Sequence, residues 1–332
     1  MNKYIPVFLA SDENYAKYMA VTIQSIISNT KEKINFYILD GGIAEITKNK
    51  IKTILDNTVH QIEFLKIDIS LFEKFPIVAH FSINTYFRYL IPHLKPEIKK
   101  ALYIDTDMII HGDISELYHS DLKGKGLGGV VYIEEDFASF TNYKEELGLS
   151  QKHRYFNAGL LLIDCDYWRN NKTIDSLFKK TIALYDKLKM CDQDVLNLVF
   201  ECSYTELSPK YNIVVDVTSD FIDLKKYISS FKGCIVLHYT GGRGMRPWVK
   251  KDCLENHYFW KYAIETPFHN DLQLELIQNQ LNTLIQKTKI FKPISLVKIK
   301  LFKFLPIITI KIKKNKKRIY FFGMPIISIR NK

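Results

Sequence analysis

Short apolar runs alternate with stretches of helical period over the first 90 residues. IPVFLA, INFYILD and HQIEFLKID are strand-like, a helical pattern runs from about Tyr15 to Ser28, and a second lies near Ala44 to Leu55. That order, βαβαβ, predicts a parallel sheet with helices on both faces. Ligands of such sheets sit at the carboxyl ends of the strands. Three further strand-like runs end on polar residues: ALYID at Asp105, FNAGLLLID at Asp164 and CIVLHY at His238. Helical period returns near Ile174 to Leu188 and from Asp194 to Phe200.

No internal repeat or low-complexity linker interrupts the chain before about residue 266, so residues 1–265 read as one α/β domain. Residues 266–332 differ. A helical, amide-rich stretch, LQLELIQNQLNTLIQ, precedes IITIKIKKNKKRIYFFGMPIISIR, in which lysines interleave with Ile, Phe and Tyr. The alternation around a basic turn at Lys313 to Lys317 predicts a hairpin or a segment lying in a membrane interface.

Charge sharpens this division. The 332 residues carry a net charge of +11, which suggests a nucleic-acid partner until the charge is located. From Leu276 to Lys332 there are fourteen Lys or Arg and no acid; removing them from the 47 basic residues leaves 33 against 36 acidic ones. The excess therefore sits in the tail. Lysines near an anionic bilayer are worth about 1 kcal/mol each, and the interleaved apolar residues favour a membrane surface over a solvated or nucleic-acid-binding arm.

Five cysteines (Cys165, Cys191, Cys202, Cys234, Cys253) form an odd set with no C-x-x-C pair, which predicts neither a disulfide framework nor a cysteine zinc site. A reducing cytoplasm follows. The apolar stretch at the N-terminus is far shorter than the roughly 20 residues of a spanning helix, so no leader or membrane span is expected there.

Two chemistry-bearing constellations stand out. Asp105 and Asp107 bracket Thr106 between the apolar runs LYI and MII; two carboxylates at a strand end can converge on one hard cation such as Mg²⁺ or Mn²⁺, or can be solvated turn residues. The flanking apolar runs favour the cation. His238 precedes YTGGRGMRPW, where Gly241, Gly242 and Gly244 with Arg243 and Arg246 make a loop suited to a diphosphate, although a strand-end histidine can equally be a structural hydrogen-bonder. There is no P-loop and no G-x-G-x-x-G after the first strand, which weighs against ordinary NTPase and dinucleotide-binding readings.

The ordered set FLASDENY, NTYFRYLIP, LYIDTD, YFNAGLLLID, CDQDVLN and HYTG…PW, spanning about residues 4 to 262, resembles the family 8 retaining glycosyltransferases. The resemblance implies a GT-A fold, a Rossmann-like nucleotide-sugar-binding architecture with a mixed central sheet, here followed by a basic C-terminal extension. It implies that Asp105, Asp107 and His238 ligate Mn²⁺ (or Mg²⁺), with Thr106 between the carboxylates. Ala10, Asp12, Asn14 and Tyr15 would hold uracil and ribose, Arg88 would contact the donor sugar and diphosphate, and Asn157, Asp192 and Gln193 would surround the hexose. Gly241 and Arg246 would take the diphosphate; the family's usual lysine is replaced by arginine after a longer spacer, so the clamp is Arg243 or Arg246.

The implied reaction is hexose transfer, with retention, from a UDP-sugar to a lipid-linked glycan of lipopolysaccharide or lipooligosaccharide type, galactose being preferred to glucose. The enzyme would be cytoplasmic and peripheral at the inner face of the bacterial cytoplasmic membrane, with no nucleic-acid partner. Gln193 lies at the position of the family's nucleophile candidate, and an amide is a poor nucleophile, so front-side attack is expected, with Asp192, Gln193 and Asp194 as electrostatic or positioning groups. Asp194 can also be read as a helix N-terminal cap. His80 and Ser82 are expected near the acceptor, and Tyr155, Phe156 and Trp168 in the core. The rival readings are transfer to a protein acceptor, including self-glycosylation, and an inactive nucleotide-sugar-binding protein.

Overall fold

The computed structural model describes residues 4–78, 81–132, 138–215, 233–240, 246–249, 255–287, 308–313, 316–321 and 324–330. Seven strands form the main sheet: β1 (Ile5–Ser11), β2 (Ile34–Asp40), β3 (Gln61–Lys66), β4 (Lys100–Ile104), β6 (Leu127–Val131), β7 (Phe156–Asp164) and β8 (Thr205–Glu206). Their order is β3-β2-β1-β4-β7-β6-β8. β1 to β4 pair in parallel, whereas β7 runs antiparallel to both β4 and β6, so the sheet is mixed.

β1 shows why the chain reads as a near-continuous apolar run. Ile5, Val7 and Leu9 share one core with Met19, Val21 and Ile23 of the helix Ala16–Asn29. Phe8, pointing the other way by the two-residue period, stacks on Tyr37 at 4.8 Å in the core beneath the opposite face. A strand covered on both faces has no polar side to display. β3, at the sheet edge, instead alternates exposed and half-buried positions.

A smaller sheet places the site. β5 (Met108–Ile110) pairs antiparallel with β10 (Val236–His238), and β10 pairs in parallel with β9 (Ile213–Val214). The expected helices occur as Ala16–Asn29, Glu45–Lys52, Thr173–Ala183 and Asp192–Val199. A 3-10 helix, Ile83–Leu90, carries Arg88.

The chain divides into compact units at 1–282 and 283–332. The first thus extends past the 265/266 boundary expected from composition, because residues 269–282 of the helix His269–Lys287 are part of its packing: Leu272 is buried, and Glu275 pairs with Lys17 at 2.7 Å and accepts a 2.6 Å bond from the Tyr18 hydroxyl. The second unit contains an antiparallel meander of β11 (Ile308–Lys313), β12 (Lys316–Phe321) and β13 (Met324–Arg330). No described helix is long and apolar enough to cross a membrane.

Candidate active site

The site grows from the joint between the two sheets. β4 ends at Ile104, and the Asp105 N–H extends its ladder by donating to the Gly159 carbonyl of β7 at 2.8 Å. Two residues on, the Asp107 carbonyl accepts from the Tyr239 N–H at 2.9 Å, extending the β5–β10 pairing, in which His238 lies opposite Met108. The intervening Thr106 carbonyl is tied to the first helix by the Thr22 hydroxyl at 3.0 Å. Backbone register therefore brings the two aspartates and the distant histidine together.

His238 Nε2 lies 3.2 Å from Asp107 Oδ1 and 4.0 Å from Asp105 Oδ2. One ligating atom from each of Asp105, Asp107 and His238 lies within 4.8 Å of the others. Two carboxylate oxygens and an imidazole nitrogen converging at this spacing suit a divalent cation of the Mn²⁺ or Mg²⁺ kind. The carboxyls are pushed apart in acidity. Burial, with Asp107's charge and against the pull of Arg88, holds Asp105 above the usual carboxylate range. Burial also opposes charge on Asp107, but the His238 hydrogen bond and charge, then Arg246, outweigh it and hold Asp107 below that range.

Arg88 is buried and almost saturated. It pairs with Asp105 at 3.1 Å and Asp192 at 3.0 Å, donates to the Thr85 and Ala158 carbonyls, and lies 4.1 Å from the centroid of the Tyr103 ring. The Tyr103 hydroxyl donates to Asp105 at 2.7 Å, and the Thr85 hydroxyl donates to Asp192. Arg88 is thus a strut between two carboxylates. Burial pushes the Asp192 carboxyl up to about 6, against Arg88 and Thr85, which favour its charge.

These groups line one cavity of about 320 Å³. Of the residues expected there, Ala10, Tyr15, Arg88 and the Asp105–Thr106–Asp107 turn line it, as do Asn157, Asp192, Gln193, His238 and Arg246 on the far side of the sequence. Ser82 lines it too. Arg246 Nη2 sits 3.2 Å from Asp107 Oδ2, and its other terminal nitrogen donates to the Tyr15 hydroxyl. Gln193 Oε1 accepts the Ala158 N–H at 2.9 Å, and its nitrogen is 3.4 Å from the Tyr155 hydroxyl.

Three expected residues do not line the cavity. Asp12 accepts the Tyr15 N–H at 3.1 Å, in a turn leading into the first helix, and Asn14 is exposed. Asp194 is fully buried: it accepts from Tyr155 at 2.6 Å and from the N–H groups of Lys189 and Met190 at 2.9 and 2.8 Å. It shapes the turn ahead of the helix Asp192–Val199, a positioning place next to Gln193. Gly241 and Arg243, with His80, fall outside the described residues. Tyr155, Phe156 and Trp168 are core, and Trp248 is buried against Tyr18, the rings 4.1 Å apart.

Sequence reasoning missed Thr85, Tyr103 and Asn212. Tyr103 had a signal, being two residues before Asp105 on a strand and so on the same face. Asn212 had none.

The chain has counterparts among known proteins. The model of the family described as glycosyl transferase family 8 matches residues 6–252. A Haemophilus influenzae protein described as a glycosyltransferase is 32% identical over 252 residues, covering 74% of this chain and 73% of its own. The lipopolysaccharide 1,2-glucosyltransferase of Escherichia coli K12 is 27% identical over 271 residues, covering 78% of each. Among solved structures, the galactosyltransferase LgtC in complex with donor and acceptor sugar analogues superposes with a TM-score of 0.68 at 27% identity, covering 79% of this chain and 96% of that one.

Proposed function

The chain belongs to glycosyl transferase family 8 and has the GT-A fold, and on that premise we propose that it transfers a hexose from a UDP-sugar, galactose before glucose, to a lipid-linked glycan with retention of configuration. The observation that carries the reading is the convergence of Asp105, Asp107 and His238, their ligating atoms within 4.8 Å of one another, on the cavity that Arg88 and Arg246 also line.

Bound by those three side chains, Mn²⁺ or Mg²⁺ would supply the positive charge that offsets the charge collecting on the departing diphosphate. The protein's own part is positional. Arg246, which bonds Asp107 and Tyr15 at the cavity wall, would turn its two terminal nitrogens from those partners to grip the diphosphate. Tyr15 and Ala10, at the carboxyl end of β1, suit the nucleoside, and Asp192 suits a hexose hydroxyl.

Breaking the sugar–phosphate bond leaves its electron pair on the UDP oxygen and oxocarbenium character at the anomeric carbon. A covalent route needs an available nucleophile on the opposite face. Gln193 presents an amide whose oxygen is held by a backbone N–H, and Asp192 is ion-paired with Arg88. Front-side attack, in which the acceptor oxygen bonds the anomeric carbon and its proton passes to the departing phosphate oxygen, fits these residues better.

The tail supports a place at the inner face of the cytoplasmic membrane: β11 reads ITIKIK, alternating isoleucine with threonine or lysine, within a segment devoid of acids.

Incubating the full chain with labelled UDP-galactose or UDP-glucose, with Mn²⁺ or EDTA, tests the whole reading. UDP release that needs the metal, and label passing to a lipooligosaccharide acceptor, is expected. Release unaffected by EDTA would overturn the metal assignment, and label retained on the chain itself would overturn the lipid-linked acceptor.

A further inference from the structure

The imidazole of His238 is held from behind by a relay that ends on a backbone donor. The Gly159 N–H can only donate, so the Asn157 side-chain atom 2.9 Å from it is oxygen. That same oxygen takes a second bond, also 2.9 Å, from Asn212, which must present its nitrogen there. The Asn212 amide so oriented turns its carbonyl oxygen to His238 Nδ1, 3.0 Å away. A carbonyl only accepts, so Nδ1 carries the hydrogen. With Nδ1–H committed to Asn212, Nε2 is the nitrogen left to face Asp105 and Asp107: it donates a hydrogen to Asp107 when no cation is bound, and once that hydrogen is given up it offers its lone pair to a cation.

Backbone register delivers the relay. Asn212 immediately precedes β9, whose Val214 pairs with His238, and Gly159 is the residue whose carbonyl continues the β4–β7 ladder to Asp105. Asn157, Asn212 and His238 are 6%, 6% and 2% exposed, so solvent offers little competition for these bonds.

We propose that Asn212 is a positioning residue of the metal site: anchored through Asn157 on the Gly159 N–H, it sets the tautomer and the ring orientation of His238 and thereby the affinity for a divalent cation. The inference rests on the reading of Asp105, Asp107 and His238 as metal ligands. Partners that orient a ligating histidine change metal affinity by roughly 10- to 100-fold.

The test uses Mn²⁺ alone, without nucleotide, titrated into the full chain and followed by the paramagnetic resonance of the free ion. Asn212→Ala is expected to weaken binding by roughly 10- to 100-fold. Asn212→Asp keeps an acceptor toward Nδ1–H but loses the N–H given to Asn157, and is expected to bind between wild type and Asn212→Ala. In metal-free protein labelled with ¹⁵N-histidine, at a pH high enough to leave the ring neutral, the His238 resonances are expected to report the single Nδ1–H form in wild type and Asn212→Asp, and a mixture of tautomers in Asn212→Ala. Unchanged affinity and tautomer in Asn212→Ala overturns the proposal. So does weakened binding that Asn212→Asp fails to restore even in part while the His238 signature stays wild-type, because that pattern marks a packing defect. His238→Ala separates the two layers: if it binds Mn²⁺ like wild type, the ligand assignment fails; if it weakens binding and Asn212→Ala does not, only the relay fails.

Discussion

Arg246 Nη2 lies 3.2 Å from Asp107 Oδ2, so a guanidinium already occupies one of the two oxygens that Asp107 offers to the cluster. Asp107's other oxygen faces His238. In the absence of nucleotide, Arg246 therefore competes with a cation for Asp107, and with nucleotide it has a diphosphate to hold. Arg246→Ala is expected to weaken UDP binding in the presence of Mn²⁺ by about 10- to 150-fold, the equivalent of a lost charge-assisted bond of about 1.5–3 kcal/mol. Mn²⁺ binding without nucleotide should be no weaker than wild type. Arg246→Lys keeps the charge but loses the two-pronged grip and should fall between. Calorimetric titrations of UDP and of Mn²⁺ separately check both halves.

Gly159 is required for close approach rather than for backbone freedom. A Cβ there would clash with Cε1 of the His238 ring and crowd the end of Met108 and the Asn157 oxygen. The ring and the amide cannot withdraw cheaply, since both are held in the relay, whereas the Met108 end can shift. Gly159→Ala is expected to cost about 1–3 kcal/mol of stability by overpacking. Because the displaced group is a proposed ligand, Mn²⁺ affinity should fall by roughly tenfold or more, the scale seen when a ligand loses its orienting contacts. Thermal melts and Mn²⁺ titration together check this; a destabilised variant with unaltered affinity would separate packing from the site.

The basic tail carries fourteen Lys or Arg and no acid. Each such residue near an anionic leaflet is worth about 1 kcal/mol. Deleting the residues after 289 is expected to move the protein from membrane to aqueous fractions while UDP-sugar hydrolysis persists. Fractionation by flotation with anionic vesicles reads the first, and UDP release reads the second.

Much of this was legible in the chain because buried parallel strands and helix stripes write themselves as periodicity: β1, β2 and β3 and the two helices between them are local patterns. The Asp105–Thr106–Asp107 turn was legible for a related reason, since carboxylates between two apolar runs mark a strand end. What stayed hidden depends on pairing between distant segments. The grouping of His238 with Asp107 came from the family resemblance and not from periodicity, its physical cause being the β5–β10 register; that Asn212 supports His238 follows from β9 lying beside β10. Arg88 looks in sequence like a ligand-binding arginine; the fold puts it in the cavity wall and shows that it also bonds Asp105, Asp192 and two carbonyls. Asp194 resembles a catalytic neighbour of Gln193 until its burial against Tyr155 and the 189–190 backbone is seen.

Asp192 gives the activity an acid limb. Burial pushes its carboxyl up to about 6, so above that pH it is charged and paired with Arg88, and below it the pair is lost. With Arg88 also bound to Asp105, protonation loosens the strut that ties Asp192 to the proposed metal ligands. Turnover is expected to fall as pH drops through about 6, and Asp192→Asn should be slower at all pH and lack that limb. A kcat/KM profile at saturating Mn²⁺ checks it, and an acid limb unchanged in Asp192→Asn would assign it to another group.

Asp40 acts with the opposite sign, on stability. Its side chain is 4% exposed; Oδ1 accepts the N–H groups of Gly42 and Ile43 at 2.8 and 2.7 Å, and Oδ2 pairs with Lys48 at 2.7 Å. Burial works against its charge, but the Ile43 N–H, Lys48 and the Gly42 N–H outweigh it and hold the carboxyl below its ordinary value. A depressed folded-state pKa means that the unfolded chain takes up the proton first as the solution is acidified. The stabilisation is therefore complete above the ordinary carboxyl range, near pH 4, and drains away as pH falls from there through the lowered folded value. Asp40→Ala is expected to cost about 1–3 kcal/mol at neutral pH, because it leaves buried donors unmatched. The difference from wild type should narrow below about pH 4. Urea unfolding of both proteins at neutral and acid pH measures it; a gap that stays constant would mean that the hydrogen bonds, and not the charge, carry the contribution.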